Sequence, residues 1–171
     1  MSPHGSRLTA AAREWAMLPA FVAACFAAAA LGAWFNANAV DDWYPTLRKP
    51  TWTPPAWVFA PVWTVLYLCM AFAAWLVWRR ADRSERRTAL ILFAIQLVLN
   101  VAWSGLFFGL RRPGIAFAEI VVLWGAIAAT LWAFRRVSAP AAWLFVPYLA
   151  WVTFAAALNG SIWWMNSGLS S

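Results

Sequence analysis

Five long apolar blocks dominate the chain, at approximately Trp15–Phe35, Ala56–Trp78, Thr88–Leu110, Gly114–Phe134 and Ala139–Trp164. Each approaches the ~20 residues that an α-helix needs to cross the hydrocarbon core of a bilayer. The polar breaks at Arg79–Arg87, Arg111–Pro113 and Arg135–Ser138 are short, and short breaks return successive helices as antiparallel neighbours. Only one connection, Asn36–Pro55, is long, and it is rich in Pro, Asp and aromatic residues. The pattern predicts an all-α membrane protein: a five-transmembrane-helix bundle over residues 15–166, with a polar tail at 1–14 and a short one at 167–171.

Composition reinforces the membrane assignment. The 171 residues are 64% hydrophobic and only 11% charged, too few polar groups to cover a soluble domain of this size. The net charge of +7 sits in short arginine runs between apolar blocks, with no basic–aromatic motif beside them, which argues against nucleic acid as a partner. Cys25 and Cys69 lie inside apolar runs and read as small buried residues. His4, the only histidine, lies in the tail, which leaves no imidazole base and no histidine-ligated metal in the bundle. Ala37-Asn38-Ala39 resembles a signal-peptidase site, but the preceding apolar run exceeds a normal signal core, so a retained span is expected. Lys and Arg number nine on the side of the N-terminus, the second loop and the fourth loop, against four opposite (Arg48, Lys49, Arg111, Arg112). The positive-inside rule then predicts a cytoplasmic N-terminus and an external first loop.

The chain holds 15 tryptophans, and their depth sorts them. Trp15, Trp34, Trp57, Trp75, Trp78, Trp132, Trp143, Trp163 and Trp164 fall near block ends and read as an interfacial aromatic belt. Trp63, Trp103, Trp124 and Trp151 lie deeper, where an indole N–H needs a partner or a cavity. In the third block Gln96, Asn100 and Ser104 recur at four-residue spacing with Trp103 and Phe107 beside them. Mid-membrane amides either bond helices together or line a polar cavity, and both readings stand. The opposite face carries Ala102, Gly105 and Gly109, a small-residue surface suited to a partner subunit. Aromatic stripes on block two (Phe59, Trp63, Tyr67, Met70) and block five (Leu144, Tyr148, Trp151, Ala155, Asn159) complete a candidate apolar chamber with a few polar anchors. Glu119 is the only acid within a predicted span, and reads as a snorkelling or hydrogen-bonded carboxyl.

Prolines 45, 50, 54 and 55 forbid a regular helix and stiffen the first loop, so it reads as a lid wedged by Trp43, Tyr44 and Trp52. From Trp43 to Pro55 the segment W-Y-x-x-L-x-K-P-x-W-x-P-P closely resembles the translocator protein family, also called tryptophan-rich sensory proteins or peripheral benzodiazepine receptors. Gln96-x3-Asn100-x2-Trp103 and Phe145-Val146-Pro147-Tyr148-Leu149-x-Trp151 are similar to that family too, and the likeness covers roughly Pro19 to Asn166. The resemblance implies a five-helix bundle, commonly a homodimer, that binds protoporphyrin-type tetrapyrroles and, in animals, cholesterol and benzodiazepine-type drugs. It implies a ligand pocket lined by Trp63, Tyr67, Gln96, Asn100, Tyr148 and Trp151, with Trp103 added from the helical pattern, and a cover including Asp41, Trp43 and Tyr44. Arg48 and Lys49 are the candidates for pairing with porphyrin propionates. The family's sterol motif needs a basic residue shortly after the fifth-helix tyrosine, whereas Tyr148 is followed by Leu-Ala-Trp-Val-Thr-Phe, which leaves the motif incomplete.

Four functions follow as expectations. The leading one is a receptor, carrier or sensor for a metal-free tetrapyrrole in a bacterial membrane, with porphyrin as ligand and no cofactor or metal. The second, implied by the resemblance to bacterial members that degrade protoporphyrin in light, is light- and oxygen-dependent porphyrin breakdown through Trp63 and Trp151; no acid–base or nucleophile constellation supports hydrolysis or group transfer. The third is a small proton-coupled transporter using Glu119, and the fourth a regulator acting through a partner protein.

Overall fold

The computed structural model describes residues 3–80 and 82–167. Five helices carry the fold: α1 (Pro3–Asp42), α2 (Phe59–Arg80), α3 (Arg83–Ser104), α4 (Pro113–Val137) and α5 (Ala139–Asn166). All five contain stretches long and apolar enough to cross a membrane. Helical backbone already begins at Pro3, inside the segment expected as a polar tail, and most of the expected tail at 167–171 lies outside the described residues.

The helices outrun the apolar blocks at the end of α1 and on both sides of the second connection, whereas α2 starts only at Phe59, after a 3-10 turn over Ala56–Val58. α1 continues through Asn36–Asp42, because no proline lies between Pro19 and Pro45, and the Pro-rich connection spans residues 43–58. α2 and α3 leave only residues 81–82 between them. Hydropathy marks what lies in lipid, whereas a helix stops where its backbone is blocked or capped. α4 opens with Pro113, whose missing N–H costs nothing in a first turn. Ser138 caps α5 by accepting the Ala141 N–H at 3.5 Å.

Around the bundle the order is α1, α2, α5, α4, α3 and back to α1. The expectation that a short link makes close neighbours fails for α2 and α3, which touch only lightly. α2 instead lies between α1 and α5, where Ala71, Ala73 and Ala74 bury completely and admit close approach. Side chains that join α3 to α2 and α5 therefore cross the interior of the ring.

α3 ends unusually. Its last turn widens into a π-helical segment over Gly105–Gly109, where the Leu110 N–H donates to the Gly105 carbonyl at 2.7 Å. Arg111 then turns the chain with φ of 54°, a left-handed conformation that costs a non-glycine residue about 1–2 kcal/mol. Close approach explains Gly109, where a Cβ would sit 3.0 Å from the Phe35 ring of α1, while at Gly105 a Cβ would make ordinary contact with the same ring at 3.5 Å. The small-residue face expected to meet a partner subunit thus receives a side chain of its own chain, although Ala102, Gly105 and Gly109 still border an open cavity of about 720 Å³.

The aromatic belt is present at block ends. Trp34, Trp57, Trp132, Trp143 and Trp164 are all largely exposed. Trp75 departs from the expectation: it is buried beside Trp15, ring centroids 4.8 Å apart, with the Arg79 guanidinium over its face at 4.7 Å. Arg86 over Trp78 and Arg136 over Trp132 repeat that pairing at the same, arginine-rich end of the bundle.

Candidate functional site

Asn100 stands at the centre of the interior. The Tyr67 hydroxyl donates to Asn100 Oδ1 at 2.6 Å, and Asn100 Nδ2 donates to the Tyr148 hydroxyl at 3.0 Å. One amide therefore joins α2, α3 and α5, and all three side chains are buried. Gln96, one turn deeper, donates through Nε2 to the Phe93 carbonyl of its own helix at 2.9 Å, while its buried Oε1 meets no donor among the described residues. Of the two uses open to a mid-membrane amide, Asn100 serves as interhelical bonding. The expected open chamber is occupied at this level by side chains that satisfy one another.

Ser104 does not share this face. Eight residues at about 100° each leave it roughly 80° round the helix from Gln96. Its Oγ lies 3.3 Å from where a Gly32 Cβ would be, so it faces α1.

The deep tryptophans divide into two kinds. Trp103 Nε1 donates to Asn159 Oδ1 at 3.0 Å, and Asn159 Nδ2 donates onward to the Pro113 carbonyl at 2.8 Å. The Trp103 indole stacks on Phe107 at 5.3 Å, in a second cluster with Leu158 and Ile162. Trp103 is thus a structural tie between α3, α4 and α5, its N–H spent on Asn159, while its ring also packs against the main core that contains Tyr67 and Tyr148. Trp124 is likewise tied, to Thr153 Oγ1 at 2.8 Å. Trp63 and Trp151 form no indole N–H hydrogen bond among the described residues.

These two indoles share the α2–α5 seam. Trp63 lies 5.6 Å from the Tyr67 ring and 6.2 Å from Tyr148, while Trp151, one turn along from Tyr148, packs between Phe59 at 5.8 Å and Phe154 at 5.5 Å. An open apolar cavity of about 650 Å³ lies along this seam, bordered by Val62, Leu66, Pro147, Trp151 and Phe154. Of the seven predicted ligand contacts, Trp151 alone borders it. Glu119 projects both carboxyl oxygens into protein, where they meet no donor among the described residues.

The loop covers one end of the bundle, as expected of a lid, but its parts differ from the expectation. Asp41 belongs to the last turn of α1 and is exposed. Its neighbour Asp42 pairs with Arg111 at 2.9 Å, tying the ends of α1 and α3. Trp43 and Tyr44 wedge against Phe107, at 5.7 and 6.4 Å, and burial pushes the Tyr44 phenol above its ordinary pKa. The Lys49 ammonium is committed within the loop: it donates to the Tyr44 carbonyl at 2.7 Å and sits 4.6 Å from that ring's centre. It is therefore poorly placed to meet a propionate. Trp52 packs on Phe154 at 5.6 Å. Arg48 is exposed, its guanidinium has no partner among the described residues, and its backbone is held by Asn166 of α5. Asn159 and Asn166 were not among the predicted site residues. Asn159 showed only as the end of a helical stripe, and Asn166 carried no signal.

A sequence model of the TspO/MBR family matches residues 21–165, nearly the span over which the resemblance was drawn. The chain belongs to the TspO/MBR family. It is 47% identical over 131 residues to the translocator protein of Ovis aries, covering 75% of this chain and 78% of that one. It is 44% identical over 143 residues to the tryptophan-rich protein TspO of Chlorobaculum tepidum, covering 83% and 90%. To the tryptophan-rich sensory protein of Cereibacter sphaeroides it is 44% identical over 146 residues, covering 85% and 89%. With five spans and this membership, the TspO/MBR chain is a multi-pass integral membrane protein.

Proposed function

We propose that this TspO/MBR protein binds a flat tetrapyrrole of the protoporphyrin type at the α2–α5 seam, as a carrier or sensor. One observation carries the reading: Trp63 and Trp151, alone among the four deep tryptophans, keep N–H groups without an acceptor among the described residues, on a seam that opens into a cavity of about 650 Å³. That volume suits small-molecule sites, which span ~300–1,000 Å³. Indoles offer a porphyrin large flat faces, and their free N–H groups reward a guest with acceptors. The exposed Arg48 supplies a cation for a propionate, with the N-terminus on the cytoplasmic side and the loop outside. The printed names of relatives, translocator and sensory protein, agree with carriage or sensing. Titrating the protein in lipid nanodiscs with protoporphyrin IX should quench tryptophan fluorescence saturably. Quenching that rises linearly, as with free indole, would overturn the reading.

Glu119 favours a second reading, proton-coupled transport, because both its oxygens are buried without a partner among the described residues. Proton-driven uptake into vesicles that vanishes in Glu119→Gln would support it, and uptake insensitive to that substitution would exclude it.

A further inference from the structure

Asn166 makes a contact that only a side-chain amide can make. Its Oδ1 accepts the Arg48 N–H at 3.0 Å, and its Nδ2 donates to the Arg48 carbonyl at 2.9 Å. Nδ2 also donates to the Ile162 carbonyl at 2.7 Å, one turn back along α5, which fixes the amide against its own helix. The backbone of Arg48 thus meets one rigid donor–acceptor pair from a residue 118 positions away. A carboxylate in that place would accept from the N–H but repel the carbonyl, and a hydroxyl would be too short to reach both.

The rest of the loop leaves this clamp in charge of Arg48. Upstream, Trp43 and Tyr44 are wedged against Phe107, and the next residue after Arg48, Lys49, is turned back onto the Tyr44 carbonyl. Downstream, Trp52 is wedged against Phe154 at the α2–α5 seam. Between these anchors the only described hydrogen bonds from the body of the bundle to the loop are the two from Asn166. Arg48 is then the one residue of the loop that combines a fixed backbone with a cation free of partners among the described residues. Holding a cation ready raises its value to an anion, because the backbone freedom is already spent before the guest arrives.

We infer that Asn166 is a positioning residue: it sets Arg48 as a docking point for the carboxylate of an amphipathic ligand, and so selects ligands that carry an acid at one edge. The inference rests on the tetrapyrrole reading for its probe. Protoporphyrin IX and its dimethyl ester share one ring and differ only in their carboxyl groups, so their affinity ratio isolates the edge contact. The protein in nanodiscs should bind the diacid about tenfold more tightly than the ester, a ratio ordinary for one charge-assisted contact. Arg48→Gln should reduce the ratio to within twofold of unity. Asn166→Ala should also bring the ratio below threefold while ester affinity stays within twofold of wild type. The double variant should match Arg48→Gln alone, since both changes remove one interaction. Should Asn166→Ala fail to fold, Asn166→Asp keeps the bond from the Arg48 N–H, and it too should lower the ratio.

Asn166 variants that weaken diacid and ester equally, or that leave the tenfold preference intact, would overturn the inference and leave the tetrapyrrole reading standing. Wild type that saturates with neither porphyrin would overturn both.

Discussion

Trp103 and the Trp63–Trp151 pair are the same residue type at similar depth, yet they do opposite things. Trp103 gives its N–H to Asn159, which passes the connection on to the Pro113 carbonyl, so three helices are tied by two hydrogen bonds. Trp63 and Trp151 touch only rings and apolar walls, and their N–H groups find no acceptor among the described residues. The α3–α4–α5 side is therefore finished as a structure, while the α2–α5 seam keeps unspent bonding capacity. A buried indole with a partner is glue; one without a partner, beside an open cavity, is where a guest gains most.

The sharpest way to break that comparison is at its satisfied side. Trp103→Phe removes the donor and leaves Asn159 Oδ1 buried and unpaired, a loss of about 1–3 kcal/mol. Reversible unfolding in mixed micelles should report it, with porphyrin affinity of the folded protein within threefold of wild type. Gly160→Ala probes the same α4–α5 contact sterically. Its Cβ would come within 2.9 Å of the Phe117 ring, itself packed on Trp163 at 5.7 Å, so overpacking should cost about 1–2 kcal/mol by the same measurement. Tyr148→Phe deletes the acceptor of Asn100 Nδ2 and should cost about 1 kcal/mol. Smallest is Asp42→Asn. The Asp42–Arg111 pair is 59% and 45% exposed, so its loss should cost under ~1 kcal/mol and less still in high salt.

Much of this was legible in sequence. Five apolar blocks gave five spans because lipid exposure forces an apolar surface on nearly every turn. Helix ends were less legible, since Asn36–Asp42 is polar but contains no residue that stops a helix. Tyr67, Asn100 and Tyr148 could be nominated because helical spacing places each on an inward face, and the structure brings all three together. Periodicity does not say whether inward-facing groups bond one another or surround a space, so both readings stay open in the sequence and only the Tyr67–Asn100–Tyr148 bonds decide for the first. Nor does it fix which neighbour a helix face meets: Trp103 turned to Asn159 and Ser104 to Gly32. The π-helical widening at Gly105–Gly109 and the Asn166 clamp depend on contacts remote in the chain or on backbone geometry, and a residue pattern carries neither.

The division between tied and untied indoles is tested most directly by one set of titrations. Protoporphyrin IX quenching in nanodiscs is followed for wild type, Trp103→Phe and the double variant Trp63→Phe with Trp151→Phe. Replacing two indoles by smaller phenyl rings that lack an N–H should raise Kd tenfold or more, from ~1.4 kcal/mol per decade, whereas Trp103→Phe should leave Kd within threefold. A double variant that binds like wild type, or a Trp103 variant that loses binding while remaining folded, would contradict the account.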